Sequence, residues 1–313
     1  MTEKRKILID TDPGVDDALA IALCACDPAT EIEAICAVAG NVPLEHTLKN
    51  AMFLRDLLGL KNVPVSRGAD RSLTRGAGRT STVHGGNGLA DISFTLESRE
   101  DELPAWERIY EEAKRFPGEL VFLTLGPLTN VALALRLHPD LKDLVREIFI
   151  MGGSAAGGNV TDAAEFNIWV DPEACEEVFR SGIPVSMCGL DGLDDASLNA
   201  EDMRDLAAYR GRVNELLVHP ILRFLLKRKL RNTGWGLRGT VIYDLATAAC
   251  LLHPQIARWA PCSLFCETGK EEEIGRTYVR EARSGDKCRV LTGMDRDAYV
   301  RILRNMAEKL ERS

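Results

Sequence analysis

Four carboxylates fall within one short stretch, Asp10-Thr11-Asp12-Pro13-Gly14-Val15-Asp16-Asp17. Aspartate near a helix start is often only a cap, because free N–H groups and the helix dipole favour negative charge there. Capping accounts for one or two of the four. Four carboxylates at the end of one apolar strand repel one another unless they are protonated or neutralised by a cation, and an oxygen-rich cluster suits Ca2+ or Mg2+. The run also opens like the DxDx[TV] pattern of phosphatases that form an aspartyl phosphate. Position 14 is Gly where that pattern needs Thr or Val, and Asp16-Asp17 follows too soon to be its distant acidic motif.

Other polar residues gain meaning only beside this cluster. Asn41 after Gly40 and Asn159 after Gly158 each read singly as turns. Glu165 and Asn167 flank Phe166 with period two, which places both polar groups on one side of an extended segment. His84 sits in the Gly-rich run HGGNGL, and imidazole is suited to proton transfer near neutral pH. His46, His138, His219 and His253 lack such company and read as surface or helix-end residues.

The elements that must position these groups alternate. Short Ile/Val/Leu-rich runs at 6–10, 32–39, 63–66, 120–125, 147–151 and 184–188 read as strands. Helical patterns occupy 15–26, 44–58, 104–115, 129–137, 172–180 and 296–310, the first apolar nearly all round and so expected to be buried. This alternation predicts an α/β protein of Rossmann-like type, an open and mostly parallel sheet flanked by helices, in a single domain over 1–313. Residues 68–88 and 227–240 break the rhythm and read as lid loops. Residues 262–292 read as a small hairpin at the sheet's edge.

Charge and composition exclude several functions. With 39 basic and 47 acidic residues the net charge is −8, the wrong sign for a nucleic-acid partner. No apolar run approaches the roughly 18 residues of a membrane span, and the opening MTEKRKILID has no signal-peptide core, which predicts a cytoplasmic protein. Nine cysteines, an odd number with no CxxC pair, read as buried thiols rather than as a disulfide framework or a zinc site.

Taken together, DTDPGVDDALA, AGN at 39–41, HGGNGL at 84–89, LGPLTNVA at 125–132, and IMGGSAAGGN followed by AEFNIWVDPEA resemble the nucleoside hydrolases of the inosine-uridine preferring family. The matches keep the family's order from residue 5 to about 191 and continue more weakly to Asp244. The resemblance implies an enzyme that cleaves the N-glycosidic bond of a ribonucleoside with water, on an open α/β sheet with bound Ca2+, assembled as a homodimer or homotetramer. It implies metal ligands at Asp12, Asp17, the Leu125 carbonyl and Asp244. Asp12 would also be the general base, taking a proton from a water that the metal activates. Asp16 would meet a ribose hydroxyl, Asn41, Met151, Asn159, Glu165 and Asn167 would contact the sugar, and His84 would contact the base or relay a proton. Glycoside chemistry agrees, since an oxocarbenium-like sugar needs a base for water, anionic surroundings and a rigid grip.

The sequence departs from the family pattern in two places. Tyr243 precedes Asp244 where many members carry His, and a phenol near pKa 10 is a far weaker acid than imidazolium. Tyr243 can instead stack on the base or donate a hydrogen bond, which favours a purine over a pyrimidine. The missing His also leaves a catalytically silent nucleoside-binding protein as the alternative, one that binds without turnover. Asp191-Gly192-Leu193-Asp194-Asp195 replaces a Thr-His pair that many relatives have after the Asp. The basic stretch from Lys227 to Trp235, with Arg238, reads as a solvated helix face, or as a lid in which Trp235 or Arg231 meets the base or an anionic substituent.

Overall fold

The chain begins its fold with RKILIDT, whose alternate side chains go to opposite faces of a sheet. Ile7 and Ile9 enter one apolar core, and Leu8 enters the other. The computed structural model describes residues 4–76, 79–81, 83–231 and 239–312. Nine strands are present among them: β1 (Arg5–Thr11), β2 (Thr30–Ala37), β3 (Val65–Arg67), β4 (Val121–Thr124), β5 (Glu147–Met151), β6 (Val185–Cys188), β7 (Ala257–Cys266), β8 (Thr277–Glu281) and β9 (Cys288–Met294). They form one sheet in the order β3-β2-β1-β4-β5-β6-β9-β7-β8. All neighbours are parallel except β7, which runs antiparallel to both β9 and β8.

Eleven α-helices accompany the strands among the described residues. They are α1 (Val15–Cys26), α2 (Leu44–Leu57), α3 (Ala105–Arg115), α4 (Thr129–Leu137), α5 (Leu141–Leu144), α6 (Phe166–Val170), α7 (Pro172–Arg180), α8 (Ala200–Leu206), α9 (His219–Arg231), α10 (Tyr243–Leu252) and α11 (Arg296–Glu311). One face of the sheet is covered by α1, α2, α10 and α11, and the other by α3, α4 and α7. Helix α1 is buried along most of its length because it packs against the sheet on one side and α10 on another.

Strand order fixes where a ligand can sit. From β1 the chain steps to β2 and β3 on one side, then returns to β4, β5 and β6 on the other, so the order reverses between β1 and β4. Helices leave those two strands toward opposite faces, and a crevice opens beyond their carboxyl ends. Asp12 follows β1 there, and Leu125 follows β4.

The strands and helices expected from the sequence are present, with ends displaced by no more than two residues. The 262–292 segment is more than an edge hairpin. β7 and β8 do form an antiparallel hairpin, but β9 inserts between β6 and β7 and carries on the parallel sheet. The first five residues of the 227–240 segment are the end of α9, which continues to Arg231, and residues 232–238 lie outside the described residues. All nine cysteines are free thiols, Cys262 and Cys288 facing each other across β7 and β9. Among the described residues no helix is long and apolar enough to cross a membrane.

Candidate active site

The β1–α1 turn holds its carboxylates in different ways. Asp10, the last inward residue of β1 on the α4 side, accepts a hydrogen bond from Asn130 Nδ2 at 2.7 Å, while its other oxygen is buried and unpartnered. Burial pushes its carboxyl up to about 7, against the lowering effect of Asn130. Asn130 also donates to the Ala37 carbonyl and accepts from Ala69 N–H, so one amide ties β1, β2 and the following loop together. Its presence in the GPLTN run was the available signal for this role.

Asp17 is fastened from three sides. Thr11 Oγ1 donates to it at 2.5 Å, Gly14 N–H at 2.8 Å and Asn41 Nδ2 at 3.2 Å. It thereby caps α1, as an acidic residue in a first turn should. Asp12 accepts the Asn41 N–H at 2.6 Å through Oδ2, and its Oδ1 is buried with no partner. Gly40 and Gly126 make room for this carboxylate. A Cβ at Gly126 would stand 2.6 Å from Asp12 Oδ1, and one at Gly40 would run into Oδ2. Neither position admits a side chain without moving the carboxylate.

Asp244 arrives from far along the chain, in the first turn of α10, whose packing on α1 carries it to the cluster. The oxygens of Asp16, Asp17 and Asp244 lie within 4.8 Å of one another. Asp12 stands beside this trio rather than within it. Burial first, and neighbouring carboxylates second, raise Asp12, Asp17 and Asp244 above the ordinary carboxylate range, and burial raises Asp16 to about 6. Such repulsion is what a cation relieves. Hard oxygen donors, a buried carboxylate oxygen without a partner and mutual repulsion fit a hard cation such as Ca2+ or Mg2+.

His84 stands over this cluster and is 8% exposed. Its Nδ1 accepts the Val15 N–H at 3.3 Å, which places the ring proton on Nε2, and Asp16 Oδ1 lies 3.4 Å from the same Nδ1 with no proton between them. Burial lowers the imidazole to about 4. At neutral pH His84 is therefore an uncharged hydrogen-bond donor through Nε2.

The wall opposite β1 comes from the region after β5. Glu165 caps α6, accepting from Gly153 N–H at 3.1 Å and Ile168 N–H at 3.3 Å, and burial pushes it up to about 7. Asn167 donates to the carbonyls of Leu125 at 2.8 Å and Met151 at 3.0 Å, so the residues ending β4 and β5 share one amide. Asn159 is exposed, and its Oδ1 accepts from Phe166 N–H at 2.9 Å. Tyr243 is half-buried, with burial first and the charges of Asp194, Glu165 and Asp16 next in raising its pKa.

These groups line one cavity of about 600 Å3, including Asp16, Asn41, His84, Leu125, Glu165 and Tyr243. Met151, Asn159, Asn167 and Asp244 line it as well, whereas the fully buried Asp12 and Asp17 do not. The described parts of 68–88 contribute Ser81, Val83 and His84. Asp194 and Arg228 also line it, and the sequence had singled out neither for a role of its own. Asp195, beside them, is held by Arg258 at 2.9 Å. Trp235 and Arg238 lie outside the described residues, as does the side chain of Arg231.

The sequence model of the inosine-uridine preferring nucleoside hydrolases matches residues 7–301. The chain belongs to that family. Among curated nucleoside hydrolases it is 36% identical to "Pyrimidine-specific ribonucleoside hydrolase RihA" of Shewanella sp. (strain MR-7), over 96% of this chain and 95% of the other. The protein of the same name from Photobacterium profundum is likewise 36% identical, over 98% of each. Two solved nucleoside hydrolases share the fold. The "Purine-Preferring Ribonucleoside Hydrolase from Gardnerella vaginalis" superposes with a TM-score of 0.91 at 28% identity, covering 98% of this chain and 99% of that one. The plant nucleoside hydrolase PpNRh1 gives 0.89 at 27% identity, covering 97% and 99%. This chain is accordingly a ribonucleoside hydrolase of a metal-dependent family, with an Asp-rich site at the sheet's switch point.

Proposed function

We propose that the protein is a Ca2+-dependent hydrolase of ribonucleosides in which Asp12 is the general base. One observation carries this reading: Asp12 has a buried, unpartnered carboxylate oxygen beside three carboxylates close enough to share one cation. Asp17, Asp244 and the Leu125 carbonyl would hold the ion, with Asp16 near enough to add an oxygen or to take a sugar hydroxyl. A bound Ca2+ supplies positive charge that keeps the carboxylates ionised and makes water easier to deprotonate. Asp12, fixed by Asn41 N–H, receives the water's proton as the water oxygen bonds to C1′ of the sugar. Asn41, Met151, Asn159, Glu165 and Asn167 would grip the ribose, and His84 would donate through Nε2 toward the substrate rather than act as an acid.

Tyr243 supports a purine, because its ring offers a stacking surface at the cavity wall. The name of the curated relatives, pyrimidine-specific, supports uridine or cytidine as a second reading. Base release from inosine, guanosine, adenosine, uridine and cytidine, with Ca2+ or with chelator, separates the two. Release that depends on Ca2+ is the expected result. Tight binding with no release from any of the five would replace the enzyme with a nucleoside-binding protein. An ordinary phenol near pKa 10 is a poor proton source at neutral pH, so the ring matters more than the hydroxyl. Tyr243→Phe should keep kcat within about 3-fold, whereas Tyr243→Ala should lower kcat/KM by about 10-fold.

A further inference from the structure

The cavity has a cation on its wall that forms no ion pair with any described carboxylate. Arg228, on α9, lines it together with Leu225 one turn earlier, Val83 and His84 of the preceding loop, and Tyr243. Its Nη1 donates to the Val83 carbonyl at 3.3 Å, and its other N–H groups have no acceptor among the described residues. The cation is near enough to influence Asp16 and His84 electrostatically, yet it makes no ion pair with Asp16 or any other described carboxylate. A half-buried guanidinium with free donors and no ion-pair partner among the described residues is arranged to meet something that enters the cavity.

We propose that Arg228 is a catalytic residue that binds the departing base and stabilises the negative charge it acquires. The inference rests on the nucleoside hydrolase reading and supplies the step for which Tyr243 is too weak an acid. With the sugar hydroxyls on the carboxylate floor, the base extends toward the wall formed by Val83, Tyr243 and Arg228. As the glycosidic bond breaks, its electron pair goes to the base nitrogen, and negative charge spreads to the ring's carbonyl oxygens and bare nitrogens. The water oxygen bonds to C1′ and its proton goes to Asp12. Arg228 gives hydrogen bonds to the base without giving up its proton, since guanidinium stays charged at any working pH. The base anion takes a proton from solvent after it leaves. Bases with carbonyl acceptors, namely hypoxanthine, guanine, uracil and cytosine, are the class this group serves, ahead of adenine.

Two substrates tell a leaving-group role from a structural one. p-Nitrophenyl β-D-ribofuranoside releases a stable phenolate and needs little help in leaving, whereas inosine and uridine need much. Arg228→Leu should lower kcat for inosine and uridine by about 100-fold or more, the effect of removing one preorganised electrostatic donor. Turnover of the aryl riboside should fall less than 3-fold, and Arg228→Lys should regain part of the loss. Parallel losses on both kinds of substrate would mean that Arg228 only braces Val83, and unchanged inosine turnover would mean that it does not touch the base; either overturns the proposal. A wild-type protein that splits neither nucleosides nor the aryl riboside would overturn the hydrolase reading itself, and this proposal with it. Thermal shift on adding Ca2+, measured on each variant, identifies any that has lost its fold.

Discussion

Asp12→Asn lowers base release by about three orders of magnitude or more, within the range set by loss of a positioned general base. The substitution keeps the size of the side chain. Its carbonyl oxygen can still accept from Asn41 N–H, now at 2.6 Å from Oδ2, and it fits the space left by Gly40 and Gly126. What it loses is the capacity to take a proton from water. Because Asp12 stands beside the Asp16, Asp17 and Asp244 trio, the cation should remain bound, with weaker affinity. Single-turnover release from the best nucleoside, at saturating Ca2+ and with binding checked by calorimetry, makes the comparison. Turnover of Asp12→Asn within 10-fold of wild type would remove Asp12 from the mechanism.

Chelating the metal has the second large effect, and its size depends on pH. In the cation-free protein Asp12, Asp16, Asp17 and Asp244 all sit above their ordinary value of 3.8, Asp16 at about 6. A carboxyl raised in the folded state favours folding below its ordinary pKa, and that contribution disappears as pH climbs through the raised value. With chelator, Tm should therefore fall steadily from about pH 4 to beyond pH 6. Ca2+ reverses the sign of the problem, since the same repelling carboxylates become its ligands. At Ca2+ about 100-fold above its Kd the linkage contributes about 2.7 kcal/mol, or about 5 °C in a chain of this size. Asp244→Asn should shrink that gain and raise the cation-free Tm near pH 8, because one repelling charge is gone. Melting curves with and without Ca2+ that run parallel from pH 5 to 8 would show that no cation is bound by these groups.

Local signals carried much of this protein. Short apolar runs ending in Asp, Gly or Asn and followed by periodic helices were enough to place the parallel strands β1 to β6, though not β9, because a buried parallel strand has to be apolar on both faces. The run from Asp10 to Asp17 was legible as a cation site because repulsion among close carboxylates needs no knowledge of the fold. Helix α10 was harder to see. It is apolar nearly all round and lacks the polar face that marks a surface helix, so only Asp244 drew attention to it.

Tertiary structure alone decided the rest. It gathered Asp16, Asp17 and Asp244 into the tight group and left Asp12 beside them, a choice set by how α10 packs on α1 across more than two hundred residues of sequence. It turned His84 into a neutral donor through the Val15 N–H and burial. It also brought Arg228 to the cavity. In sequence Arg228 is one of several basic residues on an amphipathic helix, and periodicity cannot distinguish a charge that faces water from one that faces a substrate. The sequence by itself determined the chemistry available at the strand ends, since residue type and spacing along one turn are local facts. Which of those groups meet, how buried they are and what stands opposite them depend on contacts between distant segments, and these exist only once the sheet has closed its order around β1 and β4.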